Sequence, residues 1–387
     1  MWRSDSHEEL TLGEWSLAWT PAGAAKQPAE LAHQEGALTW LPAPVPGTAA
    51  SALRGAKVAG PARIDGVDWW YRCRFDAAPP APGTRAVLSF DGLATVVDGW
   101  LNGEALLHGE DMFLARSVDV TDRLRQGENE LYLRFAALDP LLGARRPRPR
   151  WRAPMVEHQQ LRWFRTTLLG RTPGWSPACP AVGPWRPVRL TRRTRLDVTR
   201  LELRPSLEGP DGRLSVAASL VSLDGHPLTD ARLCVSGPDG GVVEAPLGCQ
   251  PDGDARSFEV TGAVTLPGVG TWWPHTHGEQ PLYEARLVVT QGGQDITIAL
   301  GRTGFRTVEL ATGAGDFALG INGVPIFCRG ACWTPLDATT LTGTAEAYRR
   351  TLLAVREAGM NMVRVAGPMV YESELFHDLC DELGILV

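Results

Sequence analysis

The chain has no apolar run long enough to cross a bilayer, which takes about 20 consecutive apolar residues in a helix. No secretory signal is visible either, because residues 1–12 (MWRSDSHEELTL) are polar and charged. No membrane partner is expected, and a cytoplasmic location is. Excess positive charge is also missing. The net charge of −6 argues against a general binder of nucleic acid or anionic surfaces. Seven cysteines, an odd number at scattered positions, do not make a disulfide framework. They read as small buried hydrophobes. No glycine-rich phosphate loop precedes a helix, and no Gly-x-Ser-x-Gly elbow offers a nucleophilic serine. His275 and His277 straddle one residue in a turn, but no Cys or carboxylate completes a ligand set. Neither a metal nor a cofactor is expected.

Turn formers are plentiful. The 42 Gly and 30 Pro imply many turns between many short strands. The 387 residues, 44% of them hydrophobic, suffice for two or three domains with ordinary cores. Fourteen Trp offer flat indole faces that suit the apolar C–H faces of sugar rings, although Trp also serves cores.

Residues 1–193 read as all-β. Short alternating segments recur at RAVLSF (85–90), TVVDGWLNG (95–103), ENELYLRF (128–135) and PVRLT (187–191), with Asn102-Gly103 as a hairpin-type turn. The region is large for one sheet, so a double-sheet jelly roll is expected. Residues 194–308 carry strands at short regular intervals, such as GRLSVAASLVSL and PLYEARLVVTQ. That is the habit of a small β-sandwich. The Cys–Trp–Cys arrangement of antibody domains is not evident, so the expectation is an immunoglobulin-like sandwich only.

Residues 309–387 change period. From Ile321 the chain reads INGVPIFCRGACWTPLD, then a helical stretch, then NMVRVAG, then YESELFHDLCDELGILV. Tyr348, Leu352 and Val355 fall on one helix face, with Gly359 at the C′ position. Leu375, Phe376, Leu379, Cys380 and Leu383 form a second stripe closed by Gly384. This strand–helix alternation opens a parallel βα array. A closed (β/α)₈ barrel needs about 250 residues, so the fold class is multidomain and mainly β. It comprises a jelly roll, an immunoglobulin-like sandwich and an incomplete (β/α)₈ barrel of two to three strands.

These segments, in this order, resemble glycoside hydrolase family 2, and within it the β-mannosidase-like branch. DWWYRCRF (68–75), FDGLATVVDGWLNG (90–103) and VDVTDRLRQGENELYLRF (118–135) resemble the family's sugar-binding jelly roll. TWWPHTHGEQPLY (271–283) resembles the end of its sandwich, and GRTGFRTVEL (301–310) the linker strand. INGVPIFCRGACWTPLD resembles the first barrel strand, where many members read Lys-Gly-Ala-Asn-Trp-Ile-Pro-x-Asp. The resemblance implies retaining hydrolysis of a β-glycoside by two glutamates about 5–5.5 Å apart. In the family the acid/base follows the fourth barrel strand and the nucleophile ends the seventh. Both would lie beyond Val387, so no catalytic residue is assigned and the chain alone is expected to be inactive. Glu357, Glu372, Glu374 and Glu382 read instead as solvated helix faces.

The resemblance implies five substrate-binding candidates. Arg364 sits at the C-terminal end of the second barrel strand, where barrel enzymes carry chemistry. An Arg in an apolar strand is expected to need a buried acidic partner. Trp333 and Asp337 follow the first strand at the same mouth, with packing as the alternative for Trp333. Asn361 is expected to support the strand's edge. Trp175 and Ser176 lie where the branch usually reads Gly-Trp-Asp-Trp-Gly-Pro, matching Gly174 to Pro177 here, so Ser176 replaces the Asp. After Arg364 the branch often has Trp-Gly-Gly-Gly, against Ala366-Gly367-Pro368-Met369 here. Both departures touch mannose specificity. RRPRPRWR (145–152) reads as a solvated loop, and Cys328 and Cys332 as packing. The expected partner is a carbohydrate, with a second polypeptide completing the barrel as a further option. The competing functions are a carbohydrate-binding or accessory protein and one subunit of a split glycosidase.

Overall fold

The computed structural model describes residues 3–10, 12–31, 38–147, 149–315 and 317–387. Residues 1, 2 and 11 of the polar N-terminal stretch, and Arg148 of the arginine-rich stretch, lie outside the described residues.

Two antiparallel sheets form the first layer pair. One runs Leu41–Ala43, Trp15–Pro21, Val67–Ala77, Gly127–Phe135, Val97–Leu101, Glu104–Gly109. The other runs His7–Leu10, Val188–Thr194, Thr84–Phe90, Arg116–Asp119. Period-two alternation decides the packing. Trp69, Tyr71, Cys73 and Phe75 point into a core shared with Leu88, Phe90 and Leu190 of the facing sheet. Trp70 points the other way and stacks on Trp100 at 5.8 Å, under Ala25 and Leu31. Both faces of this sheet are thus covered. Asn102 (φ 54°) and Gly103 (φ 85°) make the expected tight hairpin.

The next two sheets form a sandwich. Leu196–Glu208, Asp211–Ser222, Ser257–Leu266 and Gly248–Pro251 make one. Gln294–Thr303, Tyr283–Gln291, Leu228–Ser236 and Val242–Pro246 make the other, with Arg3–Ser4 added at its edge against Ala299 and Ile298. Leu214, Val216, Ala218 and Leu220 share one core with Leu233, Val235, Leu287 and Val289.

In the last segment, Gly330–Trp333 and Met362–Val365 pair in parallel. Helix Ala345–Glu357 connects them, capped by Thr344, whose Oγ1 accepts the Ala347 amide at 3.2 Å. Gly359 follows at φ 73°, where glycine avoids the Cβ penalty. Helix Glu374–Leu383 follows, and Leu386 forms a parallel bridge to Met362. Among the described residues no barrel is closed. Two expectations change here. INGVPIF is a hairpin, not a barrel strand, because Asn322 and Gly323 (φ 51° and 77°) turn Ala318–Ile321 back onto Val324–Ile326. Leu375 is exposed, and Phe376, Leu379, Cys380 and Leu383 carry the buried stripe.

Mixed contacts seat this segment on both β layers. Trp272, Ile321, Ile326 and Leu386 share one small core. Met112, Leu169, Trp185, Leu341 and Val370 share another. Trp272 Nε1 donates to the Asp381 carbonyl at 2.8 Å, and His275 Nε2 meets the Met360 carbonyl at 2.8 Å.

Candidate functional site

Trp333 ends the first parallel strand and is buried against Tyr348 and Phe376, with ring centroids 6.4 and 4.9 Å away. Its indole N–H donates to Glu372 Oε1 at 2.7 Å, and the Tyr348 hydroxyl donates to Glu372 Oε2 at 2.6 Å. Glu372 is 7% exposed, so its reading as a solvated helix face is corrected. It precedes the Ser373 cap of the last helix, and helix periodicity does not govern it. Burial, then Glu372, raises the Tyr348 phenol above its ordinary value of 10 and keeps it a donor. Arg186 donates to the carbonyls of Tyr371 and Glu372 at 2.7 and 3.4 Å. Burial lowers the pKa of this guanidinium, while Asp91 and Glu372 oppose the shift. Glu382 is corrected as well, since it bridges Arg302 and Arg349 at 2.7 and 2.6 Å.

Arg364 ends the second parallel strand as expected, but its buried acidic partner is absent among the described residues. The side chain is exposed and its Nη1 lies 3.7 Å from Cys332 Sγ, its register partner on the neighbouring strand. Alternation turns Val363 inward and Arg364 outward. Cys332 and Cys328 are exposed too, which corrects their reading as packing. Asn361 is fully buried; it accepts the Arg329 amide at 2.9 Å and donates to the Phe327 carbonyl at 3.1 Å.

Asp337 ties the segment to the jelly roll. Arg54, on helix Ala49–Ala56, clamps both of its oxygens at 3.3 and 2.5 Å, and the Thr339 amide adds a bond at 2.7 Å. Burial pushes this carboxyl up, but Arg54 and the Thr339 and Thr340 amides outweigh it and hold the carboxyl below its ordinary value.

Trp175 and Ser176 sit elsewhere. Trp175 is 76% exposed. Ser176 Oγ accepts the Gly170 amide at 2.8 Å and lies 3.1 Å from Thr172 Oγ1, so it closes its own loop. No hydrogen bond or ion pair among the described residues joins this loop to Arg364, Trp333 or Asp337. Ser176 instead lines a cavity of about 570 Å³ made entirely by jelly-roll residues. Leu53, Ile64, Leu142 and Leu161 supply its apolar wall. Two carboxylate–guanidinium forks supply polar walls. Arg171 meets both Asp65 oxygens at 2.8 Å, deeply buried, and Arg63 meets those of Asp139 at 2.6 and 3.0 Å. Sequence reading missed these pairs because their members lie 106 and 76 positions apart.

Residues 24–186 match the family described as "Glycosyl hydrolase 2 galactose-binding domain-like". The beta-mannosidase B of Thermothelomyces thermophilus is 31% identical over 330 residues, covering 82% of this chain and 37% of that protein. The beta-mannosidase B of Aspergillus oryzae is 30% identical over 342 residues, 84% and 39% of the two chains. This chain belongs to glycoside hydrolase family 2. It matches the N-terminal part of these relatives and spans less than two fifths of their length. The crystal structure of a beta-D-mannosidase from Dictyoglomus thermophilum superposes with a TM-score of 0.79 at 24% identity, covering 98% of this chain and 46% of that one. A Parabacteroides merdae beta-glucuronidase superposes at 0.67 with 20% identity. At these identities the family fold is shared across differently named glycosidases, and the sugar is not set by the fold.

Proposed function

We propose that this chain carries the sugar-contacting domains and the opening barrel units of a retaining β-glycoside hydrolase of the β-mannosidase type. In this reading residues 1–193 are the jelly roll, 194–308 the sandwich and 309–387 the start of the catalytic barrel. Its carrying observation is the colinear 31% identity to a beta-mannosidase B over 82% of the chain. The catalytic acid/base and nucleophile belong to barrel strands outside these 387 residues, and the chain alone does not turn over substrate. Arg364 and Trp333 stand at the C-terminal ends of parallel strands, where a completed barrel assembles its site. Arg364 then meets its acidic partner only when the later strands are present. Phe327, 80% exposed just before the first parallel strand, marks apolar surface that those strands would cover. They could come from the same polypeptide or a second one.

The test is hydrolysis of an aryl β-mannoside by the purified 387-residue protein. No turnover is expected, and measurable turnover that survives rigorous removal of contaminating glycosidases would sink the proposal. A carbohydrate-binding role without hydrolysis is the second reading, favoured by the jelly-roll cavity, which needs no barrel residue.

A further inference from the structure

We propose that the arginine-rich surface of residues 145–165 is a docking site for an extended acidic polypeptide segment. Charge points to it first. This stretch holds seven Arg and one acid, Glu157, in a chain of net charge −6. The chain outside it is more acidic still, so the positive charge is concentrated in one place. Among the described residues, Arg145, Arg146, Arg150, Arg152 and Arg162 form no ion pair with a carboxylate, and Arg165 meets Asp111 only at 3.7 Å. Arg54, Arg63, Arg171, Arg302 and Arg349 elsewhere are each neutralised.

The surface is built rather than loose. Gln159 clamps it: its Oε1 accepts the Ala153 amide at 2.9 Å, and its Nε2 donates to the Ala153 and Val156 carbonyls at 2.9 and 3.2 Å. Arg162 donates from Nε to the Gln159 carbonyl at 2.7 Å and from Nη2 to Gln159 Oε1 at 2.9 Å. Its guanidinium lies 4.4 Å from the Trp151 ring centroid, and that of Arg146 lies 4.8 Å from the Phe164 centroid. Phe164 is itself packed with Leu138, Leu142 and Leu161. These cations are held by rings and amide oxygens and not neutralised by acids. Two of them are also short of solvent. Nη1 of Arg146 and Nη1 of Arg162 are buried and have no hydrogen-bond partner among the described residues. A guanidinium that has lost water without gaining a partner draws an anion more strongly than a hydrated one, because a lower local dielectric strengthens the attraction.

Carboxylates on a polypeptide are the chemistry that fits. A guanidinium fork takes a carboxylate by two parallel bonds. Trp151 and Trp163 are both exposed in the same stretch, and Trp and Arg are the residue types enriched at protein interfaces. The described residues of 145–153 form no helix or strand, and eight residues of extended chain reach at most about 29 Å. A short acidic segment can therefore span the patch and end where the patch ends. A nucleic acid, with one charge per about 1.7 Å of duplex, would run on over the acidic remainder of the chain and be repelled there.

The experiment is fluorescence anisotropy of a labelled octaglutamate peptide titrated with the 387-residue protein. Octaglutamate is expected to bind, and octaglutamine of the same length is not. Raising salt from about 0.05 to about 0.5 M should weaken binding at least about tenfold, because exposed charges are screened. Arg150→Glu combined with Arg152→Glu should weaken it at least about tenfold as well. Arg350→Glu combined with Arg356→Glu changes the net charge equally at exposed positions of helix Ala345–Glu357. At about 0.15 M salt, where charges beyond about 8 Å are screened, this second pair should change binding less than about twofold. The salt series uses the unaltered chain, so it decides the matter even where a variant fails to fold. No binding of octaglutamate would overturn the proposal, as would equal losses in the two double variants or binding that salt does not weaken. Tighter binding of an octauridylate RNA or of phosphatidylserine vesicles would overturn it in favour of those partners, and salt-sensitive self-association of the protein alone in favour of a second copy. No readout here depends on hydrolysis, so this proposal and the hydrolase reading fail separately.

Discussion

Replacing Glu372 by Gln should loosen the parallel-strand segment while leaving both β-sandwich layers intact. The carboxylate accepts one bond from Trp333 at 2.7 Å and one from Tyr348 at 2.6 Å. Hydrogen bonds to a charged group contribute about 1.5–3 kcal/mol each. Glutamine keeps one acceptor oxygen and turns an N–H₂ group toward the other donor. The Trp333 N–H keeps the oxygen and the Tyr348 hydroxyl accepts from the N–H₂, so both contacts survive as neutral bonds. What is lost is the charge assistance of both, and the expected cost is about 2–3 kcal/mol. Several cores share this chain, and one global unfolding energy would be ill-defined. Amide hydrogen exchange resolves the segment instead. The Val363 amide, bonded to the Leu386 carbonyl at 2.8 Å, should lose protection by about two orders of magnitude, since 1.4 kcal/mol is a factor of ten. Strand amides such as those of Tyr71 and Val289 should not change. Tyr348→Phe removes the second donor, so adding Glu372→Gln to it should cost less than in the parent chain. Unchanged exchange at Val363, or strict additivity of the two substitutions, would refute the assigned geometry.

Two further outcomes follow from the same contacts. Burial pushes the Glu382 carboxyl up, but Arg302 and Arg349 outweigh it and hold the group below its ordinary value of 4.5. Its contribution to stability is therefore complete above about pH 4.5 and declines as pH falls through the depressed value; thermal unfolding of Glu382→Gln should show a shallower acid loss than the parent, and equal slopes would contradict this. Gly384→Ala places a Cβ 2.5 Å from the His275 amide nitrogen at φ 70°, whereas Gly359→Ala at φ 73° meets nothing within 4 Å. Both should lower Tm through left-handed strain of roughly 1–2 kcal/mol, and Gly384→Ala should lower it further; equal shifts would remove the steric argument.

Local chemistry made much of the fold legible. Asn102-Gly103 announced its hairpin, and period-two runs such as Leu214 to Leu220 announced their inner face. Asn322-Gly323 carries the same Asn-Gly signal, and there the chain turns a hairpin where the resemblance implied a barrel strand, because the turn geometry is set by two adjacent residues. Site residues were less legible. Arg364 is expected to need a buried carboxylate; strand alternation turns Val363 into the local core and Arg364 to the opposite, uncovered face, where no carboxylate among the described residues meets it. Glu372 was read with a helix face, yet it stands one residue before the cap and turns into the core. Ser176 was compared with a sugar-contacting position, yet its hydroxyl holds its own loop.

The sequence by itself determined most of the strand and helix segments, the Asn102-Gly103 turn and the alternating inner faces of the two β layers. These depend on neighbours within a few positions, whose periodicity and turn chemistry are written locally. Tertiary structure alone decided that Asp337 answers to Arg54 across 283 positions and that Asp65 answers to Arg171 across 106. It also decided that Ser176 lines a cavity of the jelly roll. Ion pairs and cavities depend on which surfaces the packed layers bring together, and no local pattern encodes those distances.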